Sequence, residues 1–167
     1  MYNSGIGTPY WFEWEIGILE CLKMLQDTSI ESVVLQSTNF EVLDDVVVNY
    51  NDQSILNIQV KHTDANNNFT YSFFASREKS LLNELASEWK KNKDKYNFKG
   101  IQIVTNKKWG TQISEGKCSM DSFISKVFPC LQSDYSYTSS DEYEQKAIEW
   151  YKETLENSLN QEEAELF

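Results

Sequence analysis

The chain has 167 residues, 40% hydrophobic and 14% aromatic, with 2 prolines and 6 glycines; this composition fits one folded core and excludes a disordered chain. No apolar run approaches the roughly 20 residues that span a bilayer, and no basic stretch precedes an apolar one at the start, so the expected setting is the cytoplasm with no membrane partner. The net charge of −11 argues at first sight against a nucleic-acid partner.

The first element is a helix near 9–27. Thr8-Pro9 reads as a helix start, and Trp11, Trp14, Ile18, Cys21, Leu22 and Leu25 recur at helical spacing. That stripe is the expected core face. Glu13 and Glu20 then project to the polar side, whereas Glu15 falls inside the stripe and needs a partner there. Strands follow at 32–37, 42–50 and 55–63. The last alternates Leu56, Ile58 and Val60 with Asn57, Gln59 and Lys61. The turn signal Asn51-Asp52-Gln53-Ser54 makes the second and third strands an antiparallel hairpin.

A polar loop and the short aromatic segment 69–74 lead to a helix over 78–96. A strand at 100–105 is expected beside the hairpin, followed by a polar loop over 106–119. A short helix at 123–128 is expected to end at Pro129, and Ser140 to cap a last helix carrying Tyr143, Ala147, Trp150, Tyr151, Leu155 and Leu159. Residues 160–167 read as a frayed end or a cut within a longer protein. The order predicts an α/β fold: a central mixed sheet flanked by helices, in a single domain with a C-terminal helical extension over 120–160.

The chemistry concentrates on the hairpin. Gln59 and Lys61, two residues apart, share one strand face. Asp44-Asp45 interrupts an apolar run on the preceding strand, and the hairpin brings that pair close. Strand neighbours face opposite ways and the register is not set by sequence, so either acid could meet Gln59. A carboxylate and a second oxygen hold Mg²⁺ or Mn²⁺. The metal polarises a phosphate and acidifies water, while a lysine offsets the developing charge. Glu15, pointing inward, would join as a further ligand. His62 is the only histidine, which excludes multi-histidine sites. The three cysteines are odd in number and lack a CxxC pair, which argues against zinc or a disulfide framework. His62 follows Lys61 and points the other way, as a structural or alternative site residue.

The few positive charges are concentrated. Residues 61–117 hold 11 basic and 6 acidic side chains, between two segments that are each net −8. A local phosphate-binding surface needs such a patch. Arg77, Lys79, Lys107, Lys108 and Trp109 are the candidate DNA contacts, with a packed loop anchor the alternative for Trp109.

The hydrophobic-Asp strand, the turn and Ile58-Gln59-Val60-Lys61 resemble the PD-(D/E)xK, or restriction-endonuclease-like, nucleases in their QxK variant, as in Mrr-type restriction enzymes. Gly5-Ile6-Gly7, Tyr10-Trp11-Phe12, Asp44-Asp45-Val46-Val47-Val48 and Gln59-Val60-Lys61-His62 resemble more closely the dsDNA endonuclease domain of CD-NTase-associated (CBASS) effectors and of some STAND-type antiviral ATPases. The likeness covers about residues 5–106. It implies an αβββαβ core and Mg²⁺-dependent cleavage of double-stranded DNA in antiphage defence. It also implies self-association or fusion to a sensor domain. Asp45 is preferred over Asp44 because the family's metal-binding acid directly precedes the hydrophobic triplet. A catalytically degenerate module serving as adaptor or inhibitor is the alternative, favoured by the acidic charge and by Gln59.

Overall fold

A computed structural model describes residues 8–62, 67–76, 79–113 and 116–167, without the side chains of residues 8 and 9. The fold is α/β, with a mixed four-stranded sheet and flanking helices. Contacts sort the chain into two compact units: Met1–Asn66 with Lys91–Lys107, and Asn67–Lys90 with Lys108–Phe167. Among the described residues no helix is long and apolar enough to cross a membrane.

The first unit holds α1 (Thr8–Lys23) and the strands β1 (Ile30–Leu35), β2 (Val46–Tyr50), β3 (Ser54–Lys61) and β4 (Asn97–Thr105), in sheet order β1-β2-β3-β4. The predicted hairpin is present: β2 runs antiparallel to β3 with Val46 opposite Ile58 and Val48 opposite Leu56. Its turn is closed by the Asp52 carboxylate, which accepts from the Ser54 amide at 2.9 Å, and Gln53 takes a positive φ of 65°. β4 lies parallel beside β3, with Gln59 opposite Ile103 and Lys61 opposite Thr105. β2 begins later than the expected residue 42, because Asp44 and Asp45 lie in the irregular segment that leads into it.

The phase of α1 differs from the sequence expectation. Phe12, Ile16 and Met24 pack on the cluster of Ile30, Val46, Val48, Tyr50, Ile58 and Val60. Gly17 lies against β1, where a Cβ would collide with the Leu35 side chain. Trp11, Trp14, Ile18, Leu22 and Leu25, the expected core stripe, are exposed. The helix is apolar on two sides, so its periodicity does not choose between them. Size decides: the sheet approaches closely at a glycine, and the indoles stay outside. Turning the helix over also turns over its acids. Glu15 is exposed, and Glu13 and Glu20 take the inner side.

The second unit contains α2 (Tyr71–Phe74), α3 (Leu81–Asn92) through Lys90, and the C-terminal helices. α4 (Met120–Ser122), a π-helical segment (Phe123–Val127) and α5 (Phe128–Ser133) follow one another in helical backbone. Pro129 therefore does not stop this run. It sits in the first turn of α5, where a missing N–H is tolerated. Asp141, not Ser140, caps α6 (Glu142–Glu156), accepting from the amides of Tyr143 and Glu144 at 2.9 and 3.0 Å; the longer-range pull of a carboxylate suits a helix start better than a hydroxyl. Of the two readings of residues 160–167, a frayed end does not hold: they form α7 (Gln161–Leu166), which starts with a reciprocal capping box between Asn160 and Glu163.

Aromatic rings fill this unit's core. Phe123 is fully buried, with ring centroids of Tyr71, Tyr151, Phe74 and Phe128 at 5.0, 5.7, 6.0 and 6.0 Å. Phe123→Ala is expected to destabilise the protein by about 3–5 kcal/mol through lost burial and the cavity left behind. Chemical denaturation should show a correspondingly lower midpoint.

Candidate active site

Asp45 stands directly before β2, and the β2–β3 register sets it against the end of β3. Its Oδ2 accepts a hydrogen bond from the Val60 amide at 2.6 Å and another from the Gln59 side-chain NH₂. The carboxylate is thus held from one strand by one backbone and one side-chain donor. Gln59 is buried, at 3% exposure. With its NH₂ committed to Asp45, its Oε1 is buried and has no hydrogen-bond partner among the described residues.

Burial is the largest influence on Asp45 and pushes its carboxyl up to about 6. The Val60 N–H opposes this; the charges of Glu13 and Asp44 add to it, and the Lys61 ammonium pulls the other way. Three acids and one lysine therefore act on one another at this place. Glu13 reaches it from α1, and its Oε2 accepts from Gln36 Nε2 at 3.3 Å. Glu15, named from the sequence, is on the opposite, exposed side of that helix.

Asn57 belongs to the same strand face as Gln59 and Lys61. It is completely buried, and its Nδ2 donates to the Leu43 carbonyl at 2.7 Å. Asn57 and Gln59 thus grip the segment before β2 at two points two residues apart. Asn57 is absent from the residues expected at the site, although the period-2 pattern that singles out Gln59 and Lys61 also marks it.

Lys61 is half-buried, and its carbonyl accepts from Thr105 Oγ1 at 2.6 Å. Asp44 is half-buried, and its carbonyl accepts from the Ser37 amide at 2.7 Å. The His62 ring packs against Phe12, centroids 5.2 Å apart.

The candidate DNA contacts are less clearly grouped. Lys107 donates its amide to Thr105 Oγ1 at 3.1 Å, in the first unit. Lys79, Lys108 and Trp109 belong to the second, where both lysines are exposed. The Trp109 ring meets Phe69 edge-on at 5.3 Å, and the backbone pairs there through Phe69 N to Lys108 O and Gly110 N to Phe69 O, both 2.8 Å. That is the geometry of a packed loop anchor. Arg77 and the Gly5-Ile6-Gly7 stretch lie outside the described residues.

Among the described residues no three His, Cys, Asp or Glu side chains group into a metal site. The donors present are two carboxylates, Asp45 and Glu13, and an amide oxygen. Such an all-oxygen set suits a hard divalent cation rather than zinc. The unsatisfied Gln59 oxygen and the desolvated Asp45 carboxylate are what a cation would relieve.

The family model described as Cap4, dsDNA endonuclease domain, matches residues 6–166, almost the whole chain. No curated protein and no solved structure matches it.

Proposed function

The chain belongs to the Cap4 dsDNA endonuclease domain family and is a DNA endonuclease; from that premise we propose that it hydrolyses duplex DNA with Mg²⁺ or Mn²⁺ at the Asp45–Gln59–Lys61 site, as the effector of an antiphage defence system. Asp45, Glu13 and the Gln59 amide oxygen would hold the cation, in a QxK arrangement of the PD-(D/E)xK type. The observation that carries this reading is the buried, unpartnered Oε1 of Gln59 beside a carboxylate raised to about 6. Buried polar groups without partners are rare and call for an explanation.

When bound, the cation supplies positive charge against the scissile phosphate and lowers the pKa of the attacking water. The protein's own groups do the rest. The Val60 amide and the Gln59 NH₂ fix the direction of the Asp45 carboxylate. Asn57, through Leu43, holds the segment from which Asp45 projects. The Lys61 ammonium orients the water and offsets charge gathering on the phosphate oxygens. One site of this kind cuts one strand, so breaking a duplex calls for two copies.

Incubating the purified chain with supercoiled plasmid in Mg²⁺, Mn²⁺ or EDTA tests the reading. Nicked and linear products are expected with either cation and none in EDTA. Cleavage that persists unchanged in EDTA contradicts it.

A further inference from the structure

The second unit holds a cavity of about 560 Å³ among its C-terminal helices, within the size range of small-molecule sites. Phe128 and Leu131 of α5, Tyr151 of α6 and Phe167 supply its apolar wall. The Phe128 and Tyr151 rings meet edge-on, centroids 6.1 Å apart. Tyr135, in the turn after α5, lines the cavity as well. Its hydroxyl is buried and has no hydrogen-bond partner among the described residues. Buried polar groups are nearly always paired, so an orphaned one beside a cavity points to a guest.

Charge selects the kind of guest. Asp134 and Glu165 are the charged residues of the wall, and no lysine or arginine lines it. The Asp134 carboxylate accepts from the Ser136 amide and hydroxyl at 2.9 and 2.7 Å, bonds that hold it below the usual carboxylate range. Glu165 is exposed and accepts from Gln161 Nε2 at 3.2 Å. Leu131, Gln132 and Ser133 end the helical run 120–133, whose last turn has no basic residue to offset the negative end of its dipole. Residues 118–167 as a whole carry 3 basic and 11 acidic side chains. Burial pushes the Tyr135 phenol up to about 12, and the charges of Glu156 and Glu165 add to this, so the hydroxyl is neutral in a negative field. Lys152 places its ammonium 5.1 Å over the Tyr135 ring and donates to the Tyr137 carbonyl at 3.5 Å, but it does not line the cavity. Ring faces and carboxylates together attract a cation, whereas an anion would meet like charge there.

We propose that this cavity binds a small organic ammonium ion. Its charged head lies between Glu165 and the Tyr135 hydroxyl, which a small turn of the Tyr135 ring brings to it. Its apolar body rests on Phe128, Leu131 and Tyr151. The candidate active site belongs to the first unit and takes no part in this binding.

Titrating the isotope-labelled chain with phenethylammonium, and separately with phenylacetate, tests it through amide NMR shifts. The two probes share a ring and differ in the sign of their charge. The ammonium should bind with a dissociation constant in the millimolar range and shift the amides of residues 131–136 and 164–167. Phenylacetate should shift none of them. Tyr135→Phe should weaken binding about fivefold. Without ligand it should melt no earlier than wild type, because it removes a buried hydroxyl that has no partner among the described residues. Glu165→Gln should weaken binding about threefold, a small effect because this carboxylate is exposed. No shift at millimolar ammonium, equal shifts with phenylacetate, or undiminished binding by either variant overturns the proposal.

Discussion

Asp45→Asn is expected to cut cleavage sharply and, in metal-free buffer at neutral pH, to raise the thermal midpoint. Both effects come from one burial. The Asp45 carboxyl has a pKa of about 6 in the fold against its ordinary 3.8. The folded chain therefore holds this proton more tightly than the unfolded chain does. The site stabilises the fold most below pH 4, loses that contribution as pH rises toward 6, and is a liability above it. Asparagine removes the desolvated charge. Its NH₂ also faces the Gln59 side chain, whose free oxygen can accept from it once the amide turns over. Activity should fall roughly 10²–10³-fold, as when one charge-stabilising group is removed. Calorimetry from pH 4 to 8 without metal should show the wild-type midpoint falling between 4 and 6 relative to Asp45→Asn. A variant less stable than wild type at pH 7.5 would contradict the account of a strained functional acid.

The second large expected effect separates two acids on one helix. Glu13→Gln should lower metal-dependent cleavage about ten- to hundredfold and weaken Mn²⁺ binding, while Glu15→Gln leaves both unchanged. Glu13 acts electrostatically on Asp45 and is held by Gln36, whereas Glu15 is exposed. Metal titration followed by calorimetry reads this directly. Equal loss in the two variants would mean that α1 serves the site only through overall charge, and loss in Glu15→Gln alone would return α1 to the phase its periodicity suggested.

Much of the first unit is legible in the chain. Period-2 alternation and the Asn-Asp-Gln-Ser turn specify the β2–β3 hairpin, and with it the approach of the Asp44-Asp45 pair to Gln59; which acid meets Gln59 is set by the register, which the structure supplies. Gly100–Thr105 reads as the strand that joins it. The position of α1 is not legible in the same way, because Trp11 and Ile18 carry as much hydrophobicity as Phe12 and Ile16. The deciding fact is the approach of Gly17 to Leu35, a contact between residues 18 positions apart that no helical projection contains. The boundaries around Pro129 escape for another reason. Proline rules assume α winding, and the π-helical segment before it changes which carbonyls are left open. Asn57 was available to the same alternation that marked Lys61, but its role depends on the Leu43 carbonyl in an irregular segment. Trp109 illustrates the opposite case. A polar loop with two lysines suggests a DNA contact, whereas the structure packs its ring on Phe69.

The most direct measurement is single-turnover cleavage of duplex DNA by Lys61→Ala beside wild type, in saturating Mg²⁺ or Mn²⁺. Lys61 is half-buried at the strand end, and its backbone carbonyl, which truncation leaves in place, accepts from Thr105 Oγ1, so the thermal midpoint should be nearly unchanged. Cleavage should fall roughly 10²–10³-fold, the scale set by removing one group that stabilises transition-state charge. Cleavage at the wild-type rate by a folded, metal-binding Lys61→Ala chain would contradict it.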